Sequence, residues 1–256
     1  MKHLFVIILL FFFTCLTSFF SYGQIVNVES MRIAMDSTGW AGSMGGDFTL
    51  TKNTARIFSA NAYGTVQLKT KKNLYLFLGN YGFLKGDTEK FIDNAFLHFR
   101  FDHSLTSFLQ WEFFVQYQNN KITKIAKRFL LGSGPRFKLP TPEKLKTFLG
   151  IDFMYEYEEE ISAPVITHRV FRNSSYLAFT YKPTAYLQLV STTFYQPRLD
   201  QFSDFRILNQ ETATFTITKK LSVTLNWDFL YDAVPVADIP KDNFTFSTGF
   251  KYLFNP

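Results

Sequence analysis

Residues 109–118 read Leu109-Gln110-Trp111-Glu112-Phe113-Phe114-Val115-Gln116-Tyr117-Gln118. One set of alternate positions holds Leu, Trp, Phe, Val and Tyr, while the other holds Gln, Glu, Phe, Gln and Gln. A period of two residues predicts a β-strand, because successive side chains in a strand point to opposite sides of the sheet. The same period recurs in residues 149–158 and 221–231. The chain is therefore predicted to consist of strands that each have one apolar face.

The predicted strands are longer than those of soluble β-proteins. They run 13 to 16 residues, whereas soluble strands usually have about 5–6 and a tilted membrane-spanning strand needs about 9–11. In strand 203–217 neither face is apolar, since Asn209 lies on one side and Gln210 on the other, and we expect a bulge or a shifted register there. The predicted strands are residues 37–51, 55–70, 73–85, 90–103, 107–120, 123–138, 146–158, 168–182, 184–197, 203–217, 220–232 and 242–255.

The predicted connections alternate between short and long. The short ones are Lys71-Lys72, residues 103–105, residues 140–144, Lys182-Pro183 and Lys219-Lys220. The long ones include residues 159–167, 198–202 and 233–241. Short periplasmic turns and longer outer loops are typical of outer-membrane barrels, and closure is required in lipid because unpaired backbone groups cost several kcal/mol each. The pattern predicts an all-β fold, a closed up-and-down antiparallel transmembrane β-barrel of about 12 strands over residues 37–256.

The chain ends in Ser247-Thr248-Gly249-Phe250-Lys251-Tyr252-Leu253-Phe254. Gly249, Tyr252 and Phe254 fit the pattern of a glycine followed by two aromatic residues that marks the last strand of outer-membrane barrels for assembly. Such a long apolar edge strand is an aggregation hazard unless it pairs with the first strand. We expect the barrel-assembly machinery to bind this strand and outer-membrane lipids to surround the barrel.

The first residues have the order of a secretory leader. A basic start at Lys2 precedes an apolar stretch at 4–20, and Ser21-Tyr22-Gly23 supplies small residues at the expected cleavage point. This order predicts a signal peptide at residues 1–23, cleaved after Gly23, with a membrane-anchoring helix as the alternative. Residues 24–36 would then form a short periplasmic lead-in, and the protein would reside in the cell outer membrane.

The charge balance argues against nucleic acid as a partner. The sequence has 27 Lys and Arg against 21 Asp and Glu, but the lysines concentrate in turns such as Lys71-Lys72 and Lys219-Lys220 rather than in one stripe. The single cysteine, Cys15, lies in the predicted leader. The mature chain is therefore expected to fold without a disulfide.

Catalytic signals in the sequence are weak. His98 is predicted to face the barrel interior, His103 to lie in a turn and His168 in an outer loop, so we expect no histidine-based metal site and no Ser-His-acid triad. Gly132-Ser133-Gly134 lacks the spacing of a nucleophile elbow. Its glycines are expected to make room for large neighbours inside the barrel. The sequence thus predicts no enzyme activity, no cofactor and no metal.

The inward face of the predicted strands collects charge. Two pairs, Arg128 with Glu156 and Arg136 with Asp152, are expected to meet across one hairpin. Such charges either neutralise one another and hold the interior rigid, or line a narrow pore and tune its selectivity. The residues that side-chain parity places in the lumen are Arg100, Glu112, Arg128, Arg136, Asp152, Glu156, Arg172 and Asp228.

Two segments in the middle of the chain resemble a known family. They are residues 111–120, which read Trp-Glu-Phe-Phe-Val-Gln-Tyr-Gln-Asn-Asn, and residues 128–137, which read Arg-Phe-Leu-Leu-Gly-Ser-Gly-Pro-Arg-Phe. With Tyr195-Gln196-Pro197 and Asp204-Phe205-Arg206, they are similar to a domain-of-unknown-function family described as salt-induced outer-membrane proteins, in its Bacteroidetes-type members. The resemblance implies a barrel in the outer membrane. It brings no activity and no catalytic residues.

The size of the inward side chains bears on function. Phe96, Phe114 and Phe148 are predicted to point inward, which favours a partly plugged lumen over an open channel. We predict a non-enzymatic barrel that acts as a narrow or partly plugged pore or as an envelope structural component. One alternative is a lipid-modifying barrel enzyme, although no Ser-His pair is found for it. Another is an outer-loop adhesin or receptor. The oligomeric state is left open.

Overall fold

The computed structural model describes residues 28–33, 35, 37–52, 56–86 and 91–254. The predicted signal peptide and its cleavage after Gly23 lie outside these residues. Twelve antiparallel strands form one closed barrel in which each strand pairs with its neighbours in the sequence and β1 pairs with β12. The strands are β1 (Gly39–Lys52), β2 (Arg56–Lys69), β3 (Asn73–Gly86), β4 (Phe91–Ser104), β5 (Leu109–Asn120), β6 (Ile125–Leu139), β7 (Leu145–Glu160), β8 (Thr167–Thr184), β9 (Leu187–Pro197), β10 (Phe205–Thr216), β11 (Leu221–Asp232) and β12 (Asp242–Phe254).

The predicted closed up-and-down barrel of twelve strands is confirmed. Each strand begins and ends within 3 residues of its predicted bounds. The seam between β1 and β12 runs from the pair Gly42 and Phe254 to the pair Asp47 and Gly249, which is 6 residue pairs. By contrast, β1 and β2 pair along 14 residues. Closure is therefore complete, but the closing seam is short.

The outer face of the barrel is apolar and solvent-accessible. Large side chains such as Phe48, Trp111 and Phe171 are 67%, 48% and 61% exposed, and they lie on strands whose opposite face is polar. A soluble monomer rarely exposes a continuous apolar surface of this extent, whereas a lipid-facing barrel requires one. Aromatic rings from neighbouring strands also touch one another in a belt near one rim; the contacts are Tyr117–Phe129, Phe129–Tyr157, Tyr155–Phe171, Tyr195–Phe205 and Phe205–Tyr231.

The two ends of the barrel differ in their connections. At the end where β1 begins and β12 ends, here called the terminal end, the connections are 2 to 5 residues long. At the opposite end, called the loop end, the connection between β11 and β12 reaches 9 residues, 233–241. The predicted turn at Lys182-Pro183 is wrong, because β8 continues to Thr184 and the turn is residues 185–186. A register shift between Tyr181 and Thr184 accommodates Pro183, which has no backbone N–H for the ladder.

The predicted bulge in residues 203–217 is also wrong. Strand β10 keeps an unbroken register with both β9 and β11. On its outer face the Asn209 side-chain amide donates to Thr193 Oγ1 at 2.8 Å, so one polar side chain is paired with another across the strands. This cross-strand hydrogen bond removes the need for a shifted register.

The described part of the predicted lead-in lies against the inner wall of the barrel. Residues 28–33, here called the plug segment, pack Val28 and Met31 against Leu76, Leu78 and Phe96 on the lumen wall. The Gln67 side chain accepts a hydrogen bond from the Ile33 N–H at 3.1 Å and donates to the Ile33 carbonyl at 2.8 Å. Gln67 pairs with Ala41 near the start of β1, so the plug segment sits toward the terminal end. Its apolar residues are buried against the apolar part of the wall, which gains free energy that an exposed lead-in would lose.

Within the described residues, no helix is long and apolar enough to cross a membrane.

Candidate functional site

The lumen contains all eight charged side chains that parity places there. Seven of them are buried: Arg100, Glu112, Arg136, Asp152, Glu156, Arg172 and Asp228. The eighth, Arg128, has a side chain that is 13% exposed. Six of them are divided between two ion-pair clusters, one beside the plug segment and one near the loop end, while Asp152 on β7 and Asp228 on β11 lie outside both.

The first group, here called the plug cluster, is centred on Arg136. Its guanidinium donates to both carboxylate oxygens of Glu29, at 2.6 and 3.0 Å, and to Glu112 at 3.2 Å. It also donates to the Tyr176 hydroxyl at 2.9 Å, and that hydroxyl donates in turn to Glu112. The guanidinium carbon lies 3.9 Å from the centroid of the Phe148 ring. Arg136 therefore binds the plug segment and the wall at once.

Arg32 completes the plug cluster from the plug side. It donates to Asp102 at 2.6 Å, to Glu29 at 2.9 Å and to Glu112 at 3.3 Å. Arg100 lies 3.3 Å from the same Glu112 oxygen. Glu112, which is fully buried, is thus approached by three guanidinium groups, and this compensates the burial of its charge.

The predicted Arg136–Asp152 pair does not form. Arg136 instead binds Glu29 and Glu112. Glu29 belongs to the segment that was expected outside the barrel, so its competition for Arg136 could not be anticipated from the hairpin. Asp152 is left 1% exposed, with Oδ1 lacking a hydrogen-bond partner among the described residues.

The second group, here called the mouth cluster, lies toward the loop end and is centred on Glu156. Arg206 donates to both oxygens of Glu156, at 2.9 and 3.0 Å, and to Asp232 at 2.8 Å. Arg172 lies 3.2 Å from Glu156 and 2.9 Å from Asp204.

Arg128 joins the mouth cluster from β6. It lies 3.9 Å from Glu156, which is the predicted partner, but its hydrogen bond goes to Glu158. Arg206 approaches the same Glu158 carboxylate at 3.6 Å. The predicted meeting of Arg128 and Glu156 is therefore present as a long ion pair, with Glu158 as the nearer partner.

The histidines are placed differently from the prediction in two of three cases. His98 does face the interior, with Nδ1 3.0 Å from Gln116 Oε1. His103 lies in β4 and not in a turn, and His168 lies in β8 and not in a loop. No two of the three share a site among the described residues, since each has contacts of its own.

One trio could offer metal ligands. Ligand atoms of Glu158, Glu160 and His168 lie within 4.8 Å of one another, and His168 Nε2 is 2.7 Å from Glu160. However, Glu158 is already held by Arg128 and Arg206. Both guanidinium groups approach the same carboxylate oxygen, Oε2, so a metal ion at this position would share the Glu158 carboxylate with two cations.

A cavity of about 230 Å³ lies between the two clusters and reaches the loop end. At its inner end Phe96, His98 and Phe114 stack in sequence, with ring centroids 6.0 and 5.8 Å apart. Toward the loop end Val234 and Ile239, from the 233–241 connection, line it. The lumen therefore holds a chamber and is not filled throughout.

Two glycines make room for the large inward rings. A β-carbon at Gly132 would overlap the Phe114 ring, and one at Gly150 would overlap the Tyr176 ring. The expectation that Gly132 accommodates a large neighbour is confirmed. Because no side chain stands at either position, each ring can lie flat on the adjacent strand, where Tyr176 reaches Arg136 and Glu112.

Several residues of the two clusters were missed by the sequence argument. Glu29 and Arg32 belonged to a segment assigned outside the barrel, and Arg206 to the strand without a clear apolar face. Asp102, Glu158 and Asp232 follow the inward parity of their strands, so parity alone could have found them. The missed residues are Glu29, Arg32, Asp102, Glu158, Asp204, Arg206 and Asp232.

The three C-terminal residues of the predicted assembly signal lie at the closing seam. Gly249 is paired with Asp47 of β1. Tyr252 and Phe254 are on the outer face, 39% and 42% exposed, with their rings 5.1 Å apart in an edge-on contact.

The closed sheet, its apolar outer face and its charged, partly filled lumen define a transmembrane β-barrel of the outer-membrane type. More specifically, the chain belongs to the family described as "Protein of unknown function, DUF481", whose model matches residues 43–254. No curated protein shows a significant sequence match to it.

Two solved structures resemble the barrel. The NanC porin has a TM-score of 0.52 at 10% identity, covering 83% of this chain and 98% of that one. The translocator domain of the autotransporter NalP from Neisseria meningitidis has a TM-score of 0.52 at 11% identity, covering 85% and 90%. These similarities show a shared barrel fold.

Proposed function

We propose that the protein is a non-enzymatic outer-membrane pore whose lumen is closed near its terminal end by the plug segment. The observation that carries this proposal is the ion pairing of the plug segment with the wall, in which Glu29 binds Arg136 and Arg32 binds Asp102. A segment that served only as a spacer before β1 would not need two charged residues paired with charges of the wall. The chamber of about 230 Å³ beyond the plug gives the barrel an interior that a solid structural element would not need.

The orientation and the export route are part of the same proposal. The leader is cleaved after Gly23, the terminal end faces the periplasm and the 233–241 connection faces outward, as expected when short turns are periplasmic. Lipids of the outer membrane surround the apolar face. The barrel-assembly machinery binds the last strand, with Gly249, Tyr252 and Phe254 as the recognised residues.

The pairing of the charges explains why the plugged state should conduct poorly. The guanidinium groups of Arg32, Arg100 and Arg136 face the carboxylates of Glu29, Asp102 and Glu112 around the plug segment. Neutralised pairs in a confined space offer little to replace the hydration shell of a passing ion. Conduction then requires the plug segment to leave the wall.

Charge reversal at Glu29 tests the proposal. Glu29→Lys places an ammonium group among three guanidinium groups, so the plug segment should be repelled from the wall. We expect single-channel conductance in planar bilayers to rise about fivefold or more above that of the wild type, which should conduct weakly. Glu143→Lys, the same reversal at an exposed turn residue, is the matched control and should conduct like the wild type. If the conductance of Glu29→Lys is no higher than that of the wild type, the plugged-pore proposal is wrong and a structural role is favoured.

Acid should also loosen the plug segment. Burial works to raise the pKa of the Glu29 carboxyl, but the charges of Arg136 and Arg32 outweigh it and hold this pKa below its ordinary value of 4.5. A carboxylate with a lowered pKa contributes closing free energy that is fully present above the ordinary pKa and declines as the pH falls below it. We therefore expect wild-type conductance to be steady from pH 7 to pH 5 and to increase toward pH 3.

The acid effect has its own control. Glu29→Gln has no carboxyl group to titrate at this position. Its conductance should therefore depend less on pH between 5 and 3 than that of the wild type. An equal acid response in both proteins would assign the effect to groups other than Glu29.

A further inference from the structure

The chamber holds one buried carboxylate without a partner. Asp152 lines the cavity, is 1% exposed, and its Oδ1 has no hydrogen-bond partner among the described residues. Its nearest expected partner, Arg136, is occupied by Glu29 and Glu112. A buried carboxylate without a partner is costly, so such a group points to a ligand that completes it.

The charges that line the chamber leave a negative excess. Five guanidinium groups and six carboxylates face it, and the arginines are already engaged in the ion pairs described above or, for Arg198, with Asp200 at 2.7 Å. Among the described residues that line the chamber, no arginine is therefore left over for Asp152. The lining groups are Arg100, Arg128, Arg172, Arg198 and Arg206, with Asp152, Glu156, Glu158, Glu160, Asp204 and Asp232.

The rest of the wall is suited to an organic cation. Phe96 and Phe114 present rings to the same chamber, and Met154 and Phe194 line it as well. The Phe114 ring already has the Arg100 guanidinium 5.7 Å from its centroid, which shows that a cation is accommodated against this wall. Aromatic faces beside a carboxylate are the usual recognition elements for ammonium groups.

We propose that the chamber binds a small alkylammonium ion, with its ammonium group at Asp152 and its alkyl part against the Phe96 and Phe114 wall. An inorganic cation would need several oxygen ligands and would gain nothing from the aromatic and apolar wall. An anion would have to compete with Glu156, Asp204 and Asp232 for arginines that are already paired. The plug segment borders the chamber through Val28, but the test below measures binding and not conductance, so failure of this proposal can be told apart from failure of the plugged-pore proposal.

Titration calorimetry on the purified barrel tests the proposal directly. The protein is held in dodecyl maltoside, which carries no ammonium group, and is titrated with tetramethylammonium chloride and with n-butylammonium chloride. Sodium chloride and sodium acetate at the same ionic strength are the reference titrations. We expect saturable binding of at least one ammonium salt and none of either sodium salt.

Two substitutions test whether binding depends on Asp152 itself or on the overall charge of the lumen. Asp152→Asn should weaken ammonium binding about tenfold or more, because it removes the charge with little change of shape. Asp228→Asn is the matched control, since Asp228 is also a buried lumen aspartate with an unpartnered Oδ1 but does not line the chamber. Its affinity for the ammonium salts should stay within about twofold of that of the wild type. The heat-dependent shift of band mobility on gels reports folding of each variant.

A second variant keeps the test decisive if Asp152→Asn does not fold. Phe96→Leu removes an aromatic face but keeps an apolar side chain, and it should weaken binding of tetramethylammonium about threefold or more. The proposal would be overturned if the wild type shows no saturable binding of either ammonium salt. It would also be overturned if Asp152→Asn binds the ammonium salt as tightly as the wild type does. If Asp152→Asn does not fold, equal binding by Phe96→Leu would have the same consequence. Saturable binding of acetate alone would assign the chamber to anions instead.

Discussion

Replacement of Arg136 by methionine is expected to lower the free energy of unfolding of the barrel by about 3–5 kcal/mol. Methionine retains much of the volume but none of the charge, so Glu29 and Glu112 would remain buried next to an apolar group. Removing one partner of a buried ion pair is far more damaging than replacing both, because the remaining charge keeps its full desolvation cost. The Tyr176 hydroxyl would lose its donor in the same step.

Urea unfolding followed by tryptophan fluorescence measures this effect, and the chain has 3 Trp residues to report it. Arg169→Met is the control, because Arg169 is exposed and its guanidinium lies 5.6 Å from the Tyr157 ring on the outer face. The control should change stability by no more than about 0.5 kcal/mol. Equal urea midpoints for the two variants would show that the plug cluster does not hold the barrel together.

The second large effect is expected at the closing seam, where Gly249→Ala should destabilise the barrel by about 2–3 kcal/mol. A β-carbon at this position would lie 2.5 Å from the Gly46 carbonyl oxygen and 2.9 Å from the Asp47 β-carbon. Both atoms belong to β1 at its junction with β12, so relief requires the two strands to separate. With only 6 residue pairs in this seam, a local separation removes a large share of the closing hydrogen bonds.

Gly79→Ala provides a matched control for the seam. It makes the same change in β3, where the nearest atom to a new β-carbon is Leu97 Cδ2 at 3.6 Å, an ordinary contact distance. We expect the urea midpoint of unfolding of Gly79→Ala to be close to that of the wild type. Gly249→Ala should unfold at a clearly lower urea concentration and refold more slowly into vesicles. If the two variants behave alike, the role of Gly249 lies in recognition during assembly and not in packing.

The sequence was sufficient for the fold because the deciding information is local. Each strand shows its alternation within about ten residues, and inward parity follows from the same pattern, as for Glu112, Glu156 and Arg172. The lumen network was only partly accessible, because ion pairing depends on which groups compete for one arginine. Arg128 and Glu156 do approach each other across a hairpin, whereas Arg136 is taken by Glu29 from beyond the hairpin.

The remaining errors have the same physical origin. Residues 28–33 look like an ordinary linker by composition, and only the shape of the closed lumen shows that Val28 and Met31 have a wall to pack against. Arg206 was hidden because Asn209 gives β10 a polar outer face, where the Asn209 amide donates a hydrogen bond to Thr193 on the neighbouring strand. The turn after β8 was misplaced because a register shift absorbs Pro183 within the strand.

The position of the plug segment in the chain makes its binding an intramolecular reaction. Only five residues, 34–38, separate Ile33 from the start of β1 at Gly39. A tether of this length confers an effective concentration on the order of millimolar or higher. A detached plug segment would therefore rebind far more readily than a free peptide of the same sequence could bind from solution. If the barrel is the plugged pore proposed above, it would close again without any external factor.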